Sequence, residues 1–213
     1  MHAAIDNRNL YPLPAVLFRA PAPFGRRHRI DDHEIGEIQL DLFNELLLRL
    51  DLKRQPLARD QLVSAARELA DDTNGSRAAP CIHQRMRRAG AIDRMLRDAA
   101  WRTAEAVVAP AWLLVHYVRD GGDLIPDGLP KVGRLDDAIL VDAAWTSLGG
   151  EVRSYLDYRR VRQLERGLGN EESFGRDEWE LARAAEARLA RLQRRVGENS
   201  YVDRDREAGF RVC

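Results

Sequence analysis

Residues 120–137 read D-G-G-D-L-I-P-D-G-L-P-K-V-G-R-L-D-D. Five aspartates, four glycines and two prolines are packed into this stretch, between two segments of helical periodicity. Glycine permits and proline fixes particular φ values, so a connection this rich in both has a specified conformation. The flanking apolar runs recur at three- and four-residue steps, and no segment alternates as a strand does. Worked outward from this corner, the chain reads as all-α: a single-domain bundle of five to six helices with an extended N-terminal arm.

The arm spans residues 1–30. Pro12, Pro14, Pro21 and Pro23 oppose helix there, and five arginines face one aspartate. A basic arm suits a docking peptide, whereas Leu10, Tyr11, Leu13, Val16, Leu17 and Phe18 suit an arm laid over its own helices. The helical domain covers 31–198 and a polar tail covers 199–213. The first helix is expected to start at Asp31 or Asp32, with Asp31 and Glu34 resembling a capping box. Its core stripe is expected at Ile35, Ile38, Leu42, Leu46 and Leu50, widened by Phe43 and Leu47. His33 and Glu37 lie four apart but lack the further ligands a metal needs, and read as a solvated pair.

A second helix is expected over 59–71, stopped by Asn74-Gly75, and Pro80 suits the first turn of a third. Arg85, Arg87, Arg88, Arg94 and Arg97 crowd that third helix and read as a solvated face, with Asp93 and Asp98 interrupting any nucleic-acid patch. The helical pattern continues through Trp101, with a kink or restart at Pro110. After the corner a long helix is expected over 136–163. Asp142 shares a helical face with Thr146, Gly149, Arg153, Asp157 and Arg160, which predicts exposure to solvent. His116 likewise falls on a polar side. A last helix, 177–196, carries a narrow stripe of Trp179, Ala182, Leu189, Leu192 and Val196, able to dock on the bundle or to pair with the same helix of a second subunit as a homodimer.

Composition narrows the classes of function. Lys+Arg and Asp+Glu both number 34, so net charge favours neither nucleic acid nor anionic membrane as a partner. Cys81 and Cys213 stand in no metal-ligand spacing and fit free thiols in a reducing cytoplasm. No secretory h-region is visible in the first thirty residues. The most apolar run, 103–118, is shorter than the roughly 20 residues a span needs, and it holds Glu105 and His116. Association with a membrane would be peripheral at most.

The corner itself supports two readings. In one, Asp123 caps a short turn over Leu124-Ile125-Pro126 and Gly128 ends that turn in the left-handed conformation. Asp136 then caps the long helix, Asp137 favours its N-terminal dipole, and Leu135 and Leu140 form a hydrophobic staple. Asp127 is the carboxylate that local structure explains least. In the other, Asp123, Asp127, Asp136 and Asp137 converge as a carboxylate cluster able to take Mg²⁺ or Ca²⁺. The spacing is not that of an EF-hand, and no nucleophile or histidine base accompanies it.

Asp123-Leu124-Ile125-Pro126-Asp127, Pro130, Gly133 and Leu135-Asp136-Asp137 resemble the signature of the YkvA-like bacterial domain of unknown function, over about residues 100–145. The chain departs from it at Gly121-Gly122, where that family usually has a proline, and at Gly128, where it has a bulky apolar residue. The resemblance implies a small helical hairpin, here about 100–165, often with membrane-proximal flanks, and no established activity. The expected function is a non-enzymatic cytoplasmic interaction or scaffold module with a protein partner and no cofactor. The alternatives are a divalent-metal-dependent enzyme acting on phosphate esters through the aspartates, and nucleic-acid binding through the basic arm.

Overall fold

The structure, a computed structural model, describes residues 11–21, 27–72, 79–120, 123–169 and 174–199. The fold is mostly α-helical, with six helices among the described residues: α1 (Glu37–Leu50), α2 (Arg59–Asp72), α3 (Pro80–Arg97), α4 (Glu105–Asp120), α5 (Leu135–Gly167) and α6 (Arg176–Asn199). Packing divides the chain into two compact units, Met1–Asp157 and Tyr158–Cys213. The tail after residue 199, the first ten residues and the Asn74-Gly75 stop lie outside the described residues.

In the first unit the arm is laid on helices. Leu13 and Leu17 are buried, whereas Tyr11 and Phe18 are exposed. A single 3-10 turn, Ala15–Phe18, shapes this segment. Gln61 fixes it: its side-chain Nε2 donates to the carbonyls of Val16 (3.2 Å) and Arg19 (2.8 Å), while its Oε1 accepts from Ala58 N at the start of α2. One buried amide thus caps a helix and holds the arm.

The expected capping box at Asp31 is not formed. Arg29–Ile30 (β1) and His33–Glu34 (β2) instead pair as a tight antiparallel hairpin, too short for strand alternation to register in the sequence. Asp31 turns it with φ of 50°, a conformation that Asp tolerates better than most residues. Helix α1 therefore starts at Glu37 behind Gly36, and its buried face is Leu40, Phe43, Leu47 and Leu50. Ile38 and Leu42, expected inside, are exposed. Helix α1 is apolar on two faces, and its neighbours choose between them; Phe43 meets the Tyr117 ring edge-on at 6.1 Å.

Pro80 opens α3 as expected. The helix does not continue through Trp101, because α3 ends at Arg97 and α4 starts at Glu105. Glu151 of α5 organises this break, accepting hydrogen bonds from Trp101 Nε1 (3.0 Å) and Ala104 N (3.1 Å). Pro110 is accommodated inside α4.

The solvated-face reading of α3 holds for Arg87, Arg94 and Arg97, which are exposed. It is overturned for Arg85 and Arg88, as is the solvent exposure expected of Asp142. Arg85 and Arg88 are 1% and 0% exposed. Asp142 accepts from Arg85 Nη2 and from Arg54 Nη2, each at 2.8 Å, and its own side chain is only 13% exposed. Arg88 lies over the Trp145 ring at 4.4 Å. The opening of α5 is buried almost all round, from Leu135 to Ala144 with Asp142 only partly covered, so no face there is free for solvent. A carboxylate and guanidinium fork at that depth must pair, because either charge left alone would carry a large desolvation penalty.

The second unit holds the end of α5 and α6. Tyr158 stacks on Phe174, centroids 6.0 Å apart, and its hydroxyl donates to Phe174 O (3.3 Å). Helix α6 leaves Leu181, Leu189, Leu192 and Val196 exposed.

Candidate functional site

The corner between α4 and α5 is assembled around two aromatic and acidic side chains. Leu124 and Ile125 are buried, which forces their backbone polar groups to find partners inside the protein. Leu124 N donates to Tyr117 Oη (3.2 Å), and Ile125 N donates to Asp136 Oδ2 (3.1 Å). Tyr117 closes the loop by donating its own hydroxyl to that same Asp136 oxygen at 2.8 Å. On the far side, His33 Nε2 donates to Leu124 O at 3.0 Å. His33 is therefore neither a solvated partner of Glu37 nor a ligand; it braces the corner from β2.

Asp136 is not the helix cap that was expected. It sits inside the first turn of α5, fully buried, and holds the preceding loop instead of its own helix. Gly128 is not left-handed either; the positive φ values fall on Lys131 (66°) and Arg134 (70°). Gly133 is required by a close approach, since a Cβ there would stand 2.3 Å from the Asp127 carbonyl oxygen. Lys131 anchors this turn by donating Nζ to Ala70 O at 2.9 Å.

Asp127, unexplained by local structure in the sequence, has a partner seven residues on. Arg134 Nε donates to its Oδ2 at 2.9 Å and lies 3.7 Å from Asp137 Oδ2. Burial works against the Arg134 charge, but the Asp127 hydrogen bond and the aspartate charges outweigh it and hold the guanidinium above its ordinary range. Asp123 makes no capping hydrogen bond among the described residues. Partial burial and the Asp127 charge push its carboxyl up, with Arg134 opposing.

The four aspartates named from the sequence are thus brought into one electrostatic neighbourhood, with Arg134 among them. Asp136 and Asp137 are 0% and 1% exposed. Burial pushes Asp136 up, against the hydrogen bonds from Tyr117 and Ile125. Burial and the adjacent Asp136 push Asp137 up to about 8, with Arg134 pulling the other way. Burial and Asp136 likewise raise Tyr117. Among the described residues Asp136 Oδ1 and both Asp137 oxygens accept no hydrogen bond. Burial and mutual repulsion thus both act against charging the two neighbouring carboxylates together, with one arginine opposing.

This arrangement fixes the backbone of the corner through Asp136. Asp136 and Asp137 are sealed, Asp123 is partly exposed, and the exposed Asp127 is ion-paired with Arg134. Among the described residues no group of three or more His, Cys, Asp or Glu side chains stands ready to hold a metal ion. His116 is exposed and pairs with Asp120 one turn along α4. Also among the described residues, no helix is long and apolar enough to cross a membrane. The chain matches no protein-family model, no curated protein and no solved structure.

Proposed function

We propose that this chain is a non-enzymatic helical module of the cytoplasm, acting as an interaction or scaffold protein and peripheral to a membrane at most. One observation carries the reading: in the aspartate-rich corner Asp136 is buried onto Tyr117 and Ile125 and Asp127 is paired with Arg134, while apolar side chains of α6 face outward. Acids that serve a reaction need access to substrate, and leucines left in water need a partner. The resemblance of residues 123–137 to the YkvA-like domain agrees with this reading, and it is proposed on that stretch alone.

A divalent-metal-dependent phosphoesterase is the second reading, favoured by the Asp137 oxygens that accept no hydrogen bond among the described residues. Against it, Asp136 Oδ2 already receives two donors. Nucleic-acid binding loses Arg85 and Arg88 as surface groups, and keeps Arg87, Arg94 and Arg97 of α3 with arm residues such as Arg27 and Arg29.

Two measurements test the proposal. Calorimetry with Mg²⁺, Mn²⁺ and Ca²⁺, alongside a phosphate-ester hydrolysis assay, is expected to give neither heat nor turnover. Metal-dependent turnover that Asp137→Asn abolishes would install the enzyme reading instead. Sizing of the chain in native extract is expected to show complexes larger than the monomer that Leu189→Glu with Leu192→Glu dissolves.

A further inference from the structure

We propose that α6 pairs with α6 of a second copy of this chain, the two helices running antiparallel. The inference rests on the interaction-module reading and names the partner at that surface. Helix α6 is 24 residues long, about 36 Å at the α-helical rise. Positions 182, 185, 189, 192 and 196 follow one another at steps of three and four, which is the seam of a helix pair. Leu189, Leu192 and Val196 on that seam are 60%, 48% and 68% exposed, and Leu181 beside it is 71% exposed. Apolar residues on one narrow stripe, in a helix otherwise crowded with charge, demand a cover of similar length and shape.

Two features of the same helix select a second copy and set its direction. The first is charge. Residues 176–187 carry Asp177, Glu178, Glu180 and Glu186 against Arg176 and Arg183, a net of −2. Residues 188–196 carry Arg188, Arg191, Arg194 and Arg195 and no acid, a net of +4. Antiparallel pairing sets the acidic half of each helix beside the basic half of the other. A parallel pair would gather eight arginines at one end. The second is size. The seam is small at its start, with Ala182 and Ala185, and large further on, with Leu189 and Leu192. An antiparallel pair centred on residue 187 sets Ala182 opposite Leu192 and Ala185 opposite Leu189, so each leucine faces an alanine and the seam fills evenly. The parallel arrangement would stack alanine on alanine and leave a gap. The helix dipoles favour the same direction.

The test uses the full chain. Light scattering coupled to gel filtration is expected to give twice the 24.2 kDa chain mass, and Leu189→Glu with Leu192→Glu to return the single-chain mass with the helical circular dichroism retained. Direction is read by disulfide trapping in a Cys213→Ser background. Glu178→Cys chains mixed with Val196→Cys chains are expected to cross-link to each other, and Glu178→Cys chains alone are not. A wild-type chain that stays monomeric up to its solubility limit overturns the pairing, as does a dimer that survives the double glutamate variant. Self-cross-linking of Glu178→Cys overturns the antiparallel direction. If the chain alone is monomeric yet the double variant still dissolves complexes in native extract, only the self-pairing fails. If the dimer forms but native complexes ignore the double variant, the module reading fails and the pairing stands.

Discussion

The corner at residues 123–137 and helix α6 invert the ordinary rule of a globular surface in opposite ways. The corner is the most acidic connection in the chain, yet Asp136 and Asp137 are buried. Helix α6 is dense in arginine and glutamate, yet Leu181, Leu189, Leu192 and Val196 stand in solvent. Buried polar groups are tolerated where they have partners, and the corner supplies them for Asp136 through Tyr117 and Ile125. Exposed apolar side chains are tolerated singly, but a stripe of them asks for an occupant. Substitution in the corner should therefore disturb folding, and substitution in α6 should disturb association.

The sharpest way to break that contrast is Asp136→Ala. It strands the buried Ile125 amide and the half-buried Tyr117 hydroxyl, and should lower unfolding free energy by about 3–5 kcal/mol. Asp136→Asn keeps an acceptor oxygen and should lose about half as much. Urea titration of the three proteins checks the order; equal stability of wild type and Asp136→Ala would mean the corner is not braced through this carboxylate. Gly133→Ala comes next. Its Cβ would meet the Asp127 carbonyl, a backbone atom that cannot swing aside, and overpacking of this kind costs about 1–3 kcal/mol.

How far these two regions were legible in the sequence differs for a physical reason. The apolar stripe of α6 was visible because helical period alone assigns residues to a face, and its exposure needed only that nothing lie against it. The importance of the corner was visible in its glycines, prolines and aspartates, and the four acids do share one neighbourhood. Their roles were not visible, because each is set by a residue distant along the chain: Tyr117 for Asp136, His33 for Leu124, Arg134 for Asp127. Asp142 shows the same limit. Its polar helical neighbours suggested solvent, but the opening of α5 up to Ala144 is buried almost all round, and Arg54 and Arg85 arrive from elsewhere to pair with it. Helical phase tells which residues share a face, not what stands opposite that face.

Asp137 offers a finer measure of the corner, through pH. Its folded carboxyl is pushed up to about 8 by burial and by Asp136, while an unfolded aspartate titrates near 3.9. The native state therefore binds this proton more tightly. The stabilisation linked to it is complete below about pH 4 and is lost as pH rises toward 8, with a slope of up to about 1.4 kcal/mol per pH unit. Asp137→Asn, neutral at every pH, should flatten that slope, and urea midpoints taken from pH 4 to pH 8 would report it. An unchanged slope would place the buried proton elsewhere.

The smallest expected effect lies in α6 and is the most discriminating for the contrast. Leu189→Ser replaces an exposed side chain, so in dilute solution it should move the unfolding free energy by less than about 0.5 kcal/mol. With the dimer populated, however, unfolding is linked to dissociation, and the wild-type thermal midpoint should climb with protein concentration. The variant should lose that climb while matching the wild type at the dilute end. A corner variant should do the reverse, starting from a lower midpoint and climbing in parallel with the wild type. If Leu189→Ser instead lowered the midpoint equally at all concentrations, this leucine would be part of the folded core of its own chain, and α6 would need no second copy to cover it.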